Sequence, residues 1–216
     1  MKKNILITLL IFFYTFNIFA NEPKLDQIIN GLDNPWSLTF VSNDELLLTE
    51  KSGNLLLVNL SNKNIRKIKH NLNILEDGQG GLLEVLYYKD QVFVSYTEDQ
   101  KKGYSSTSVA KGEFNDLELN FQNIFRAEPP INSGYHFGSR LVIKDDFIYI
   151  TAGERGEGMI AQDPKKHPGS IIRIHLDGRI PKDNPKFIDK KDWLPEIFQI
   201  GVRNPQGMDL SPFDNK

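Results

Sequence analysis

Three polar side chains stand close together in one turn near the end of the chain, in the sequence Gly201-Val202-Arg203-Asn204-Pro205-Gln206-Gly207. Two glycines and a proline set the backbone of this turn, so that the guanidinium and the two amides are held in fixed directions. Planar groups of this kind form directed hydrogen bonds with a flat, anionic ligand that carries carbonyl groups. The turn is therefore a candidate binding site.

Two more polar side chains share the sequence position of this turn relative to the strands that follow. Val92 and Ile148 are equivalent positions in two similar apolar strands. Gln79 lies 13 residues before Val92 and His136 lies 12 residues before Ile148, so that each sits at the entry to the first strand of its repeat. Arg203 and Asn204 precede a third apolar segment, Met208-Asp209-Leu210, which we predict as the first strand of another repeat. Equivalent positions in a repeat converge in space, which is the pattern of a site.

Each of these side chains also has a simpler interpretation. Gln79 could be a solvated amide in the glycine-rich turn 77–81, Arg203 could form an ordinary ion pair, and a single histidine is more often structural than catalytic. We assign such structural or exposed positions to His70, His167 and His175. The shared register of the three motifs favours a common site for Gln79, His136, Arg203 and Asn204.

The elements that must position these residues are short strands separated by polar turns. The first group is predicted at Trp36–Val41, Glu45–Glu50, Asn54–Leu60 and Ile65–His70, an antiparallel meander. Its second strand resembles the strands around Val92 and Ile148. The interval from Leu46 to Val92 is 46 residues, and that from Val92 to Ile148 is 56. Repeats of this length with four strands each favour a β-propeller over a β-sandwich, so the predicted fold is all-β with three to four four-stranded blades.

Two long loops accompany the repeats, one before His136 and one from Gly153 to Pro168. Long loops in compact domains often carry function. The second loop contains two carboxylates, Glu154 and Glu157, which could bind a cation or act as acid and base. A solvated charged turn is an equally good interpretation, particularly for Glu157.

The first twenty residues have the pattern of a secretory signal peptide. Lys2 and Lys3 precede the mostly apolar run from Ile5 to Phe19, and Ala20 is a suitable cleavage residue. The alternative is an N-terminal membrane anchor, although the run is short for a span. We expect cleavage after Ala20, a periplasmic or secreted protein, a single domain over residues 21–216, and no stable membrane association.

Composition excludes several classes of protein. The net charge is −2 for the whole chain, and it becomes more negative without the two N-terminal lysines, so nucleic acid is not an expected partner. The chain contains no cysteine. An exported protein of this composition must be held together by packing and not by disulfides.

Five motifs, in this order, resemble the soluble sugar dehydrogenases that depend on pyrroloquinoline quinone (PQQ), the glucose/sorbosone dehydrogenase family, and within it the aldose sugar dehydrogenase branch. The motifs are Gly78-Gln79-Gly80-Gly81-Leu82-Leu83, His136-Phe137-Gly138-Ser139-Arg140-Leu141, Gly153-Glu154-Arg155-Gly156, the segment from Leu176 to Pro185, and Arg203-Asn204-Pro205-Gln206-Gly207. The resemblance extends from about Gly31 to the end of the chain.

The resemblance implies a six-bladed propeller in which PQQ and a calcium ion lie across the channel mouth. It implies that an aldose is oxidised at its anomeric carbon to a lactone by hydride transfer to PQQ, and that an electron acceptor of unknown identity follows. His136 would be the general base and Arg203 would stabilise charge at the reactive carbonyls. Gln79 and Asn204 would hydrogen-bond near cofactor or substrate.

The sequence departs from the family pattern at three points. Tyr135 stands where the glucose dehydrogenases carry an acid, and Arg155 stands where they carry glutamine. The family also continues well past Lys216, with the calcium ligands and the cations that clamp the quinone. We therefore expect residues 1–216 to be an N-terminal portion that neither holds PQQ firmly nor oxidises sugar alone. Two alternatives stay open, a non-catalytic propeller that binds sugar or protein and a calcium-dependent lactonase.

Overall fold

The computed structural model describes residues 23–185 and 192–214, and β-strands dominate this part of the chain. A short 3-10 helix, Gly158–Gln162, lies in the loop that follows the eleventh strand. The strands in chain order are β1 (Pro35–Phe40), β2 (Glu45–Glu50), β3 (Leu55–Asn59), β4 (Ile65–His70), β5 (Leu82–Tyr88), β6 (Gln91–Asp99), β7 (Ser105–Glu113), β8 (Glu118–Leu119), β9 (Gln122–Arg126), β10 (Gly138–Lys144), β11 (Phe147–Ala152), β12 (Ser170–His175) and β13 (Ile197–Ile200).

These strands form three sheets that are the blades of a partial β-propeller. Blade 1 has the order β1-β2-β3-β4, blade 2 the order β5-β6-β7-β9, and blade 3 the order β10-β11-β12-β13, and neighbours within each group are antiparallel. The first strands β1, β5 and β10 pack beside one another along the inner edge of the blades. The predicted strands of the first meander and the predicted repeat are confirmed, with three blades in the described residues.

Alternation along the central strands explains how the blades stack. In β6, Val92 and Val94 pack into the core shared with blade 1, whereas Phe93 between them packs into the core shared with blade 3. All three side chains are fully buried. Because successive side chains of a strand point to opposite faces, a run that is apolar throughout marks a sheet covered on both sides. Blade 2 is therefore the middle layer of a stack.

A buried hydroxyl on β6 joins blade 2 to blade 3. The Ser95 hydroxyl accepts a hydrogen bond from the Glu84 N–H on β5 at 3.0 Å and donates one to the Ser139 carbonyl on β10 at 2.6 Å. Thr49 and Thr151 stand at the equivalent positions of β2 and β11 and make the same two bonds. The three hydroxyls are buried, so each joint replaces water for one donor and one acceptor. We call these three side chains the hydroxyl joints.

The third hydroxyl joint shows where the expected fourth blade would begin. Thr151 donates to the carbonyl of Pro205 at 2.8 Å, the position that Ser139 holds in the previous joint. Residues 208–210, predicted as a strand, are not one. A strand needs a ladder partner, and none is offered to this segment within the described residues. The segment after Arg203 thus begins beside blade 3 as a first strand would, but the strand prediction itself was wrong.

The predicted signal peptide, residues 1–20, lies outside the described residues and stays a prediction. Among residues 23–185 and 192–214, no helix has the length and apolar character needed to cross a membrane.

The hydroxyl joints predict a measurable asymmetry between two buried serines. Ser95→Ala leaves the Glu84 N–H and the Ser139 carbonyl without their partner, which should lower the free energy of unfolding by about 1–3 kcal/mol. Ser106 on β7 is equally buried, but its hydroxyl has no hydrogen-bond partner in the described structure. Ser106→Ala removes no hydrogen bond and leaves no group without a partner, so it should not lower the free energy of unfolding. Urea unfolding of both variants measures the difference, and equal losses would contradict a special role for the joint.

Candidate functional site at the inner edge of the blades

His136 lies in the loop that enters β10, and its backbone is held from several directions. Its N–H donates to the Gln79 side-chain oxygen at 2.9 Å, and its carbonyl accepts from the Arg155 N–H at 3.2 Å. The φ angle is +52°, in the left-handed region, which costs about 1–2 kcal/mol for a residue with a Cβ atom. Surrounding contacts must offset this cost, and strained backbone of this kind is concentrated at functional sites.

Gly153, just after β11, makes room for this conformation. A Cβ atom at this position would lie 2.0 Å from the His136 carbonyl oxygen, a distance that no side chain tolerates. Only glycine lets the end of β11 approach the histidine loop so closely. The glycine that precedes Glu154 in the sequence therefore has a structural reason: it brings Glu154 next to His136.

Glu154 and His136 form a hydrogen-bonded pair. A carboxylate oxygen of Glu154 accepts from Nδ1 of His136, and its other oxygen accepts from the Gly158 N–H at 2.7 Å. Burial tends to raise the pKa of Glu154, but the hydrogen bonds from His136 and Gly158 outweigh it and hold the pKa below its ordinary value. Because an ionised carboxylate only accepts, Nδ1 carries a proton, and in the neutral form of the imidazole the lone pair is then on Nε2. His136 is thus oriented as a base.

Arg203 and Asn204 complete the cluster from the far side of blade 3. The Arg203 carbonyl accepts from the Glu154 N–H at 2.8 Å, and its guanidinium Nε lies 3.8 Å from a Glu154 oxygen. The Asn204 side-chain oxygen accepts from the Gly138 N–H at 3.0 Å. The Arg203 side chain is 82% exposed, so its charge faces the open side of the cluster.

The four predicted site residues, Gln79, His136, Arg203 and Asn204, are therefore brought together. The structure adds a detail that sequence reasoning missed: the oxygens of both amide side chains bind backbone N–H groups of the His136 segment. Gln79 and Asn204 brace that segment, and only their NH₂ ends stay available to a ligand. The catalytic and cofactor-binding roles remain predictions.

Glu154 was one of two carboxylates left open by the sequence. The structure separates them, because Glu154 is buried against His136 and Glu157 is exposed. A signal for this difference was available: Glu154 follows β11 almost directly, at the same end of blade 3 as His136, whereas Glu157 lies further into the loop.

The three other histidines have contacts that fit the structural positions predicted for them. The buried ring of His167 accepts from the Glu128 N–H at 2.9 Å and pairs through Nε2 with Glu196 at 2.8 Å. His70 lies 2.8 Å from the Gly53 carbonyl, and His175 stacks against Phe147.

A second charged cluster, not predicted from the sequence, lies further along the inner edge. Glu84 on β5 accepts from the Ser37 hydroxyl at 2.6 Å and is paired with Arg140 on β10, whose guanidinium lies 4.7 Å from the centre of the Trp36 ring. Burial raises the pKa of Glu84 above its ordinary value. The cluster links the first strands of all three blades.

The calcium ion implied by the resemblance has no counterpart among the described acidic side chains. In the part of the chain that the structure describes, no three His, Asp or Glu residues are grouped so as to hold a metal ion. Calcium binding stays a prediction.

Blades that meet along an inner edge, with a histidine–carboxylate pair, amides and an exposed cation at one end, define a β-propeller with a candidate ligand site at its mouth. The family model described as "Glucose / Sorbosone dehydrogenase" matches residues 32–216, most of the chain. The chain belongs to this family. The resemblance found from the motifs is confirmed.

Individual relatives agree with this assignment. The aldose sugar dehydrogenase YliI of Escherichia coli K12 is 34% identical over 202 residues, covering 89% of this chain and 54% of that protein. The quinoprotein glucose dehydrogenase B of Acinetobacter calcoaceticus is 28% identical over 235 residues, covering 89% and 47%. The crystal structure of the soluble apo aldose sugar dehydrogenase from Escherichia coli superposes with a TM-score of 0.83 at 32% identity, over 88% of this chain and 57% of that one. The chain thus spans about half the length of the relatives it matches.

The His136–Glu154 pair predicts a specific acid dependence of stability. Because folding lowers the pKa of Glu154, its carboxylate stabilises the folded protein above the ordinary value of 4.5, and this contribution is lost as the pH falls through the lowered pKa. Glu154→Gln should therefore be less stable than the wild type at pH 6. The difference in stability between the two proteins should narrow as the pH falls below 4.5. Glu157→Gln, at the exposed neighbour, serves as the control and should follow the wild type at every pH. Thermal unfolding between pH 3 and pH 7 measures the curves, and parallel curves for Glu154→Gln and wild type would contradict the pairing.

Proposed function

We propose that this chain supplies the base-bearing part of the active site of a PQQ-dependent aldose sugar dehydrogenase, which oxidises the anomeric carbon of an aldose to a lactone. The observation that carries the proposal is the His136–Glu154 pair at the mouth of a propeller, in which Nδ1 faces the carboxylate and Nε2 has no hydrogen-bond partner among residues 23–185 and 192–214. Support comes from the Escherichia coli relative, whose name gives aldose sugar dehydrogenase activity, and from the Acinetobacter relative, whose name gives a quinoprotein.

The residues at the mouth fit a flat, carboxylate-rich cofactor. Arg203 presents an exposed guanidinium, a planar cation suited to carboxylate and carbonyl oxygens. The NH₂ ends of Gln79 and Asn204 are further donors, since their oxygens are engaged by backbone N–H groups. In this proposal the three side chains hold PQQ, together with calcium. When bound, PQQ supplies the two-electron acceptor for the hydride that leaves the anomeric carbon.

His136 would take the proton of the anomeric hydroxyl at Nε2 while the C–H bond of the same carbon breaks. The hydroxyl oxygen becomes the lactone carbonyl, so one proton and one hydride leave the sugar, a balanced two-electron oxidation. The Glu154 carboxylate would stabilise the imidazolium that forms, because it accepts a hydrogen bond from Nδ1 throughout the step. The hydrogen bond between the carboxylate and Nδ1 also fixes the direction in which Nε2 points.

Arg203 would act on charge rather than on protons. Its guanidinium stays protonated at any physiological pH, so it can stabilise negative charge that develops on the cofactor oxygens. Its side chain is 82% exposed, and its contact with Glu154 is long, at 3.8 Å, so most of the guanidinium still faces solvent. Because the chain spans about half of its relatives, the sugar, the electron acceptor and calcium dependence belong to the proposal for the whole protein.

The direct test is dye reduction by the full-length protein that carries these residues, with PQQ, calcium and a panel of aldoses. His136→Ala should lower kcat by roughly 10²–10⁴-fold, the usual contribution of a positioned general base. The control is His70→Ala on the outer strand β4 of blade 1, which should leave turnover unchanged. An unchanged rate in the His136 variant with PQQ bound would remove the base assignment. Lactone hydrolysis without dye reduction would point to a lactonase, and binding without any turnover to a non-catalytic propeller.

Arg203→Ala tests the charge role separately from folding. Since the side chain is largely exposed, its removal should change the free energy of unfolding by less than about 0.5 kcal/mol. Turnover should nevertheless fall, because the cation near the cofactor is lost. Arg66, exposed on β4 and paired with Asp116, offers the matched control, and Arg66→Ala should leave turnover at the wild-type level. Loss of stability in Arg203→Ala without loss of turnover would show the opposite, structural role.

A further inference from the structure

Arg155 immediately follows Glu154, and its guanidinium is bound by backbone and hydroxyl oxygens from three directions. Nε donates to the Tyr135 carbonyl at 3.1 Å, and Nη2 donates to the Ser133 carbonyl and to the Ser105 hydroxyl at 3.0 Å. Nη1 donates to the Ser105 carbonyl at 2.9 Å. The guanidinium therefore links Ser133 and Tyr135, which precede His136, to Ser105, the first residue of β7.

The cost of placing this charge indicates that the contacts matter. Arg155 is 2% exposed, and no carboxylate within the described residues lies at ion-pair distance from it. Burial lowers the pKa of Arg155 to about 10, so it remains protonated at neutral pH. The planar group also lies 3.7 Å from the centre of the Phe137 ring, on the C-terminal side of His136. The charge of Asp77 acts against the lowering of the Arg155 pKa, but it does not pair directly with the guanidinium. A buried cation without a directly paired carboxylate is retained only where its hydrogen bonds and stacking replace its hydration.

The backbone of Arg155 adds one more constraint. Its N–H donates to the His136 carbonyl at 3.2 Å, so the same residue contacts the segment before, at and after the histidine. Arg155 itself has a left-handed φ of +59°. With Gln79 on the other side, these contacts hold His136 in its own left-handed conformation.

We infer that Arg155 is a positioning residue that fixes the His136 loop against Glu154, and that it does not contact the sugar. The resemblance placed Arg155 where the glucose dehydrogenases carry glutamine, and in this structure its guanidinium donors all bind oxygens of the protein itself. The inference rests on the proposed function for its effect on catalysis, whereas the effect on the His136 loop is independent of any activity.

The activity-independent test uses this chain and two structural readouts. In Arg155→Met, amide hydrogen exchange at His136 should accelerate at least about tenfold, since local opening of the loop becomes easier. The pKa of Glu154, followed by ¹³C NMR of its carboxyl group, should rise toward the ordinary value because the His136 hydrogen bond is weakened. Arg155→Lys keeps the charge but cannot reach all the oxygens at once, so it should show the same changes to a smaller extent and carries the test if the methionine variant does not fold.

The matched control is Arg173→Met on β12. Arg173 is also a buried arginine that lies over a phenylalanine, Phe147, at 3.9 Å, and it bonds Asp183 and Asn184 far from the histidine. Its removal should lower thermal stability without altering His136 exchange or Glu154 titration. If Arg173→Met reproduces the changes, or if both Arg155 variants leave them unmoved, the positioning role is wrong.

In the full-length enzyme the same variants separate positioning from substrate contact. Arg155→Met should lower kcat about tenfold or more with little change of KM for the sugar, because a misplaced base slows the chemical step. A raised KM with unchanged kcat would overturn the inference in favour of sugar binding. Absence of turnover in the wild type would contradict the proposed function alone, since the exchange and titration results decide the positioning role without it.

Discussion

The structure depends on the pairing of backbone groups across blade boundaries by buried hydroxyls. Apolar side chains such as Phe93 hold neighbouring blades together, but they do not set how far one blade slides along the next. A hydroxyl that accepts from its own first strand and donates to the following one fixes that offset to the length of two hydrogen bonds. The site residues lie within a few positions of the joint residues or of the carbonyls that these residues bind, so the site geometry follows from the same offset.

The fixed offset explains why residues distant in sequence meet at His136. Glu154 follows the joint residue Thr151 by three positions, and Arg203 precedes the carbonyl partner Pro205 by two. Once the joint is formed, the Arg203 carbonyl comes within hydrogen-bond distance of the Glu154 N–H. The histidine loop is then held by Gln79 from before β5, by Glu154 from after β11 and by Asn204 from after β13, which is why it can keep a strained conformation. The geometry of the candidate site therefore depends on how the sheets stack as well as on the loops that carry its side chains.

Much of this arrangement was readable from the sequence, and the part that was not has a physical reason. Short apolar segments separated by polar turns predicted the strands of blade 1 nearly to the residue, and the recurrence at Leu46, Val92 and Ile148 predicted the blades. The convergence of Gln79, His136 and Arg203 followed from register alone. The pairing of Glu154 with His136 and the buried position of Arg155 did not, because they depend on loop conformations with left-handed residues that no periodicity encodes. The strand expected at 208–210 failed because hydrogen-bonded strands are defined by partners, and a sequence segment does not reveal whether its partner is present.

The short strand β8 affects the order in which the described blades should unfold. β8, only Glu118–Leu119, leaves blade 2 between β7 and β9 and pairs in parallel with Lys69 and His70 on the outer strand of blade 1. This parallel pairing stands in an otherwise antiparallel fold. It joins the outer edges of blades 1 and 2, which are also joined at their inner edge by Thr49. Blades 1 and 2 therefore contact each other at both the inner and the outer edge, whereas blade 3 contacts blade 2 through the shared apolar core and the Ser95 hydroxyl joint. Among the three described blades, local unfolding should therefore separate blade 3 from blade 2 before it separates blade 2 from blade 1.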